Sequence, residues 1–371
     1  MAFFQNKTVL IISPEFWGRS YLSKHHYAEC LAESGNVVYF LDPPGITKSS
    51  DAINAEKRYP GKLFIIQDAG IRGMRFLPQW LARKVMRRQL HKLENKYNTK
   101  FDVIWSFDNS RYFLLDASPH AFSIHHLVDL EVDFHLEAAC RSAKVCFAVT
   151  HTILDRMKVH NNNAHYIQHG YRPLPKTTAK LPMGKGNLKA VYIGNLLMSN
   201  FDIELFKELA SQNPETDFYL IGSYGFGNLN ANVDTERAEA IRHLEGADNI
   251  YLLGERTPSD TYTMVDEADI LLLMYFKYHR KVDNSSKLPP YLASGKVILA
   301  DRVTEYENTG LLEMAETREA YLVRFREICA NIDQFNSKEN QARRRQYAMD
   351  HTYAKQLSRI ESILNGLPLH D

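Results

Sequence analysis

Apolar residues fall into short continuous runs separated by helical patterns, in the order expected of an alternating α/β protein. The first run, Thr8–Ile12, has the unbroken apolar character of a strand buried on both faces. A helix is expected over Ser23–Ser34, stopped by Gly35. A second strand, Val37–Leu41, is closed by Asp42-Pro43-Pro44-Gly45, which no strand interior would tolerate. Further strands are predicted at Leu63–Ile66, Val103–Ser106, Ala121–Ile124, Val145–Val149 and His165–Ile167. The pattern restarts with strand Lys189–Ile193, helix Asp202–Gln212 and strands Phe218–Ile221 and Asn249–Leu253. Helix Ser259–Glu267, strands Ile270–Met274 and Val297–Ala300, and helical segments after Glu316 complete it, the last over Thr352–Leu364. Such alternation predicts doubly wound parallel sheets.

Between the two series lies Arg172–Leu188, a polar stretch broken by Pro173, Pro175, Pro182, Gly184 and Gly186. The expected division is therefore a first Rossmann-like domain over 1–171, a linker over 172–188 and a second Rossmann-like domain over 189–345. A C-terminal helix within 346–371 is expected to pack back on the first domain. Two such halves enclose a cleft, and open sheets of this kind bind ligands at the carboxyl ends of their strands.

Composition narrows the choice. The 371 residues suit two domains, and 44% apolar with 24% charged residues is ordinary for a globular protein. A net charge of +1 gives no global pull toward nucleic acid. Cys30, Cys140, Cys146 and Cys329 are scattered without zinc spacing, as in a reducing compartment. Val9–Ile12 is too short for the apolar part of a signal peptide, and no run approaches the ~20 apolar residues of a membrane span. A cytoplasmic protein is expected, peripheral on the inner face of the membrane if the basic helix below serves that purpose.

The densest chemistry is Asp283-Asn284-Ser285-Ser286-Lys287-Leu288-Pro289-Pro290-Tyr291. It reads as a loop entering a short helix that begins near Ser286, with Pro289 and Pro290 in the first turn. Unpaired N–H groups there and the charge of Lys287 suit a phosphate. Gly194-Asn195, Gly222, Gly254-Glu255-Arg256 and Tyr275 each follow a predicted strand of the same half, so together they line a nucleotide pocket. Ile221-Gly222-Ser223-Tyr224-Gly225-Phe226-Gly227 is not GxGxxG, which disfavours a nicotinamide cofactor. No cofactor and no metal are expected, because the histidine pairs fix no ligand geometry. A general base is sought in the first half among His25, His26, His125, His126, Asp129, Glu131 and Asp133, with Ile124–Asp129 leaving a strand end toward the cleft. Arg72–Lys92 carries seven Lys/Arg and no acid. Trp80, Arg83, Lys84, Arg87 and Arg88 would let its amphipathic helix lie on an anionic membrane, or simply form a solvated face.

Lys24-His25-His26-Tyr27-Ala28, Ile167-Gln168-His169-Gly170, Val191-Tyr192-Ile193-Gly194-Asn195, Phe201-Asp202, Leu220-Ile221-Gly222-Ser223, Leu253-Gly254-Glu255, Met274-Tyr275 and Ser285-Ser286-Lys287 occur in this order across most of the chain. In them the chain resembles a GT-B glycosyltransferase of bacterial surface-polysaccharide synthesis. It is most similar to the membrane-associated glucuronosyltransferase of xanthan assembly and to teichuronic-type enzymes. The resemblance implies two Rossmann-like domains facing each other across a cleft, the first binding the acceptor and the second a nucleotide-sugar. It implies Asp129 as general base, Lys287 on the donor diphosphate, Glu255 and Arg256 near the base and Tyr275 near the donor sugar. Lys277, Arg280 and Lys281 would meet a donor carboxylate. The retaining relatives carry two glutamates eight positions apart across this lysine, where Val282 and Pro290 stand here. An inverting, metal-independent transfer from a UDP-sugar, such as UDP-glucuronate, to a lipid-linked or polysaccharide hydroxyl is therefore expected. The alternatives are a retaining transferase or nucleotide-sugar epimerase of the same fold, or a non-catalytic scaffold subunit.

Overall fold

The computed structural model describes residues 2–18, 21–44, 53–54, 61–68, 70, 73–129, 135–199, 201–224, 235–275 and 283–367. The chain forms two units, one of Met1–Gly170 with Tyr353–Asp371 and one of Tyr171–Thr352.

The first unit runs β1 (Thr8–Ile12), α1 (Ser23–Glu33), β2 (Val37–Asp42), β3 (Ile53–Asn54), β4 (Lys62–Gln67), α2 (Gln79–Lys96) and β5 (Val103–Ser106). It continues through β6 (Phe122–Leu127), α3 (Leu136–Ser142), β7 (Val145–Ala148), α4 (His151–Lys158) and β8 (Ala164–Tyr166). Its strands pair in the order β3-β4-β2-β1-β5-β6-β7-β8, and only β3 is antiparallel to its neighbour. Alternation along β1 explains the apolar run. Leu10 and Ile12 face a core with Met86, Leu90 and Leu93 of α2, while Val9 and Ile11 face one with Tyr27 and Leu31 of α1. Each such side chain contributes about 1.5–3 kcal/mol on leaving water.

The second unit runs β9 (Leu188–Ile193), α5 (Ile203–Gln212), β10 (Thr216–Ile221), α6 (Thr235–Arg242), β11 (Ile250–Gly254), α7 (Pro258–Asp266) and β12 (Ile270–Leu273). Then come α8 (Leu288–Ser294), β13 (Val297–Asp301), β14 (Glu313–Ala315), α9 (Arg318–Ala330), α10 (Ile332–Phe335) and α11 (Lys338–Asp350). The sheet order is β11-β10-β9-β12-β13-β14, all parallel. Ile270 and Leu272 of β12 pack with α5 and α9, and Leu271 and Leu273 with α7 and α8. Asp202 caps α5 by accepting from the Leu205 amide at 3.1 Å and pairs with Arg318, so its role is structural.

The breaker-rich stretch is fastened to the second unit. The Thr177 hydroxyl donates to Asp260 at 2.7 Å, the Leu181 amide donates to Glu267 at 3.1 Å, and the Tyr219 hydroxyl donates to the Pro182 carbonyl at 2.8 Å. The final helix, α12 (Tyr353–Gly366), belongs to the first unit, where Leu357, Ile360 and Leu364 share a core with Tyr27 and Leu31.

One boundary matters for function. The sequence predicts a strand ending at Ile124, but the ladder between β6 and β7 continues through His125, His126 and Leu127. The histidine pair therefore sits within the sheet rather than in the turn beyond it. A neutral imidazole packs as a flat ring, and His126 stacks 4.9 Å from Phe107 and 6.0 Å from Trp105.

Candidate functional site

Three adjacent parallel strands of the second unit, β9, β12 and β13, end side by side and deliver Gly194, Tyr275 and Asp301. Lys287, the residue before α8, reaches this edge. Its ammonium donates to the Tyr192 hydroxyl at 3.3 Å and to the Tyr275 hydroxyl. It also lies 4.9 Å and 4.6 Å from the centroids of those two rings. Among the described residues the hydrogen-bond partners of this half-buried cation are two phenols, and the nearby Asp301 carboxyl acts on it through its charge.

Gly194 makes the arrangement possible. Its φ is +156°, and a Cβ there would stand 2.7 Å from Lys287 Nζ and 3.0 Å from the Tyr192 hydroxyl. Gly222, at φ +149°, supports the same edge, since a Cβ would fall 1.9 Å from the Gly194 carbonyl oxygen. Tyr291 of α8 braces it from beneath: its buried hydroxyl accepts from the Ile193 amide at 2.8 Å and donates to the Leu272 carbonyl at 3.2 Å.

The helix start differs from the sequence expectation. α8 begins at Leu288 rather than near Ser286, and the Leu288 amide donates to the Ser285 carbonyl at 3.1 Å. The Lys287 amide donates to the Ser285 hydroxyl at 3.4 Å, and the Ser285 amide to Asn284 at 2.8 Å. A local turn uses these donors before the prolines enter the helix, so the Ser285, Lys287 and Leu288 amides are already partnered. Ser286 is exposed.

Asn195 spends its side-chain oxygen on the Leu197 amide at 3.0 Å, and Glu255 and Arg256 are exposed beyond β11. Lys277, Arg280, Lys281 and Val282 lie outside the described residues, as do Glu131 and Asp133 of the first unit.

Tyr192, Tyr291 and Asp301 receive no role from the sequence reading. Asp301 is a buried carboxyl ending an apolar strand, and burial pushes it up to about 7 against the opposing charge of Lys287. A carboxylate closing the run Val297–Ala300 is the signal that would have found it.

In the first unit the histidines form a buried group around the start of α1. The His25 Nδ1 accepts from the Leu22 amide at 3.0 Å, so Nε2 carries the proton toward the Phe16 carbonyl at 3.2 Å. His169 Nδ1 meets the Ser23 hydroxyl at 2.9 Å, and His26 stacks 4.6 Å from Tyr353. Burial pulls His25, His125 and His169 down to about 4 and His126 well below its usual range. Asp129, just past β6, is exposed.

On α2, Trp80 is 61% exposed and Lys84 Nζ lies 5.5 Å over its ring. Arg83 pairs with Asp116 at 3.0 Å and Arg87 donates to the Ala117 carbonyl at 3.2 Å, so these two are engaged within the unit while Arg88 is exposed. Leu81 and Val85 are half-buried, and Met86 and Leu90 form the core face.

No protein-family model matches the chain, and neither does any curated protein. Solved structures do. Sucrose-phosphate synthase from Thermosynechococcus elongatus matches with a TM-score of 0.67 at 11% identity, over 97% of this chain and 98% of that one. A glycosyltransferase from Rickettsia africae gives 0.66 at 14% identity, over 98% and 100%. HepE from Anabaena, in complex with UDP and glucose, gives 0.68 at 12% identity, over 97% and 100%. With two parallel-sheet α/β units and this coverage, the chain has the GT-B fold of two Rossmann-like domains. At such identities the likeness speaks for fold alone.

Proposed function

We propose that the protein is a glycosyltransferase that takes a sugar from a nucleoside-diphosphate donor, a UDP-sugar, and inverts the anomeric centre without a metal. The observation that carries this is Lys287, a cation set on Tyr192 and Tyr275 at the carboxyl ends of β9 and β12 with space made by Gly194. HepE, of the same fold, was solved with UDP and glucose, which supports a uridine nucleotide as the donor class. The first unit would hold the acceptor. Asp129 takes the proton of an acceptor hydroxyl, whose oxygen forms a bond to the anomeric carbon as the bond to the diphosphate oxygen breaks. Lys287 balances the charge that develops on the departing diphosphate. Burial speaks for Asp129 over the histidines as base, since their proton-accepting nitrogens lie in the core.

The resemblance to xanthan-type enzymes further suggests glucuronate as the sugar and a lipid-linked glycan as acceptor, reached at the inner leaflet through Trp80, Lys84 and Arg88. Replacing the base tests the reading. Asp129→Asn should lower kcat about 10³-fold while leaving donor affinity unchanged, and a loss within about tenfold would remove Asp129 from the mechanism. A scaffold reading finds its support in Pro290, buried where the retaining relatives carry a glutamate. It requires that UDP not bind.

A further inference from the structure

We propose that Lys24 forms the floor of an anion subsite in the first unit, covered by the Glu15 side chain and opened when a phosphate or carboxylate of the acceptor displaces it. Only the word acceptor rests on the transferase reading; the anion site itself does not.

Lys24 lies in the first turn of α1, with a residue exposure of 0%. Its ammonium pairs with Glu15, on the turn that follows β1, the strand between β2 and β5. The two partners are unequal: the lysine side chain is 1% exposed and the glutamate 47%. A lysine kept for packing alone would extend its stem and release the ammonium to water. Here the charge is kept inside, where a buried ion without a counter-charge costs several kcal/mol. Asp108 and Asp129 act on it through their charge, but the carboxylate in contact with it, Glu15, is half in solvent and so open to exchange with another anion. A ligand anion arriving from solvent therefore competes with an easily moved partner for a cation that cannot retreat.

The surrounding groups leave that role open. Asp108 acts on Lys24 through its charge, while its oxygens accept from Arg111 Nε at 2.5 Å, the Ser110 amide at 2.8 Å and the Ser110 hydroxyl at 2.7 Å. Asp129 acts on Lys24 through its charge, and His25, His126 and His169 are held neutral by burial. Burial also lowers Lys24 itself, to about 7, so an anion that stays beside it favours its charged form. Proximity to Asp129 would place an anchored acceptor beside the proposed base.

The test is calorimetry at pH 6.5 with inorganic phosphate and, separately, glucuronic acid, all in a Lys287→Ala background so that the second unit's cation does not contribute. Glu15→Gln removes the competitor and should tighten binding of one anion at least fivefold. Lys24→Met should abolish binding, and Lys24→Arg should retain it. Preference for phosphate points to a phosphorylated acceptor, and preference for glucuronic acid to a uronate. The proposal fails if the Glu15→Gln protein binds neither anion, if it binds more weakly than its parent, or if Lys24→Met binds as well as its parent. Should Lys24→Met not fold, the direction of the Glu15→Gln change decides. Failure of UDP to bind would overturn the donor assignment and leave this result standing.

Discussion

The two sheets finish differently at their carboxyl ends. In the first unit that end is filled: His25, His125 and His126 lie in the interior, and Lys24 is closed off by Glu15. In the second unit it is kept open by Gly194 and Gly222, and the cation Lys287 rests half-buried on two tyrosines. The first unit holds its histidines neutral at that end and pairs its buried lysine, whereas the second presents a cation whose described hydrogen-bond partners are phenols. The contrast teaches that the same doubly wound frame can carry opposite electrostatics, set by which residue follows each strand. It is also why the donor's diphosphate is proposed to sit in the second unit.

The largest expected effect is on stability. The three histidines held near 4 resist protonation in the folded state, whereas the unfolded chain takes up protons below about 6.5. Their contribution is thus complete above about pH 6.5 and is lost as pH falls toward 4. Asp301 has the opposite sign. Unfolded it loses its proton near 3.8, folded it keeps it to about 7, so its contribution is complete below pH 4 and lost as pH rises to 7. Hydrogen exchange, corrected for intrinsic rates, resolves the two units. Acidification from pH 6.5 to 4 should reduce protection of β1 and β6 by a few kcal/mol. Over the same range β12 and β13 should gain, and Asp301→Asn should cancel that gain. Equal loss in both sheets would erase the comparison.

Next in size is Gly194→Ala. The added methyl meets Lys287 Nζ and must shift it, so UDP affinity should fall about tenfold, or ~1.4 kcal/mol, by titration. Unchanged affinity would mean that the opening is not what seats the cation. The smallest effect concerns the outer face of the first unit. Lys84→Glu or Arg88→Glu should each lower binding to anionic vesicles about fivefold in flotation, near the ~1 kcal/mol expected of one basic residue. Arg83 and Arg87, tied to Asp116 and Ala117, are poorer choices for that test.

Much of the frame is legible in the residues. β1, β5, β10, β12 and β13 show as apolar runs because both faces of a parallel sheet are covered, while β9 and the edge strand β11 are apolar runs that stay partly exposed. The glycines after β9 and β10 and the lysine before α8 are also visible, since each is the residue type its position demands. The fate of the histidines is not. Periodicity ends β6 at Ile124 because histidine counts as polar, while packing treats a neutral imidazole as one more ring beside Phe107 and Trp105. The short helices α3 and α4 escape for another reason. With 7 and 8 residues they complete barely two turns of pattern, and tertiary packing rather than propensity holds them. The partners of Lys287 are equally hidden, because Tyr192 and Tyr275 come together only when β9 and β12 pair.

The central claim is that Lys287 grips the diphosphate of the donor, and a calorimetric titration tests it directly. UDP should bind the wild-type protein at one site at least tenfold more tightly than UMP. Lys287→Ala should weaken UDP by about 10- to 100-fold, the worth of one charge-assisted hydrogen bond. Equal affinity for UDP and UMP, or a Lys287→Ala protein that binds UDP as the wild type does, would contradict it.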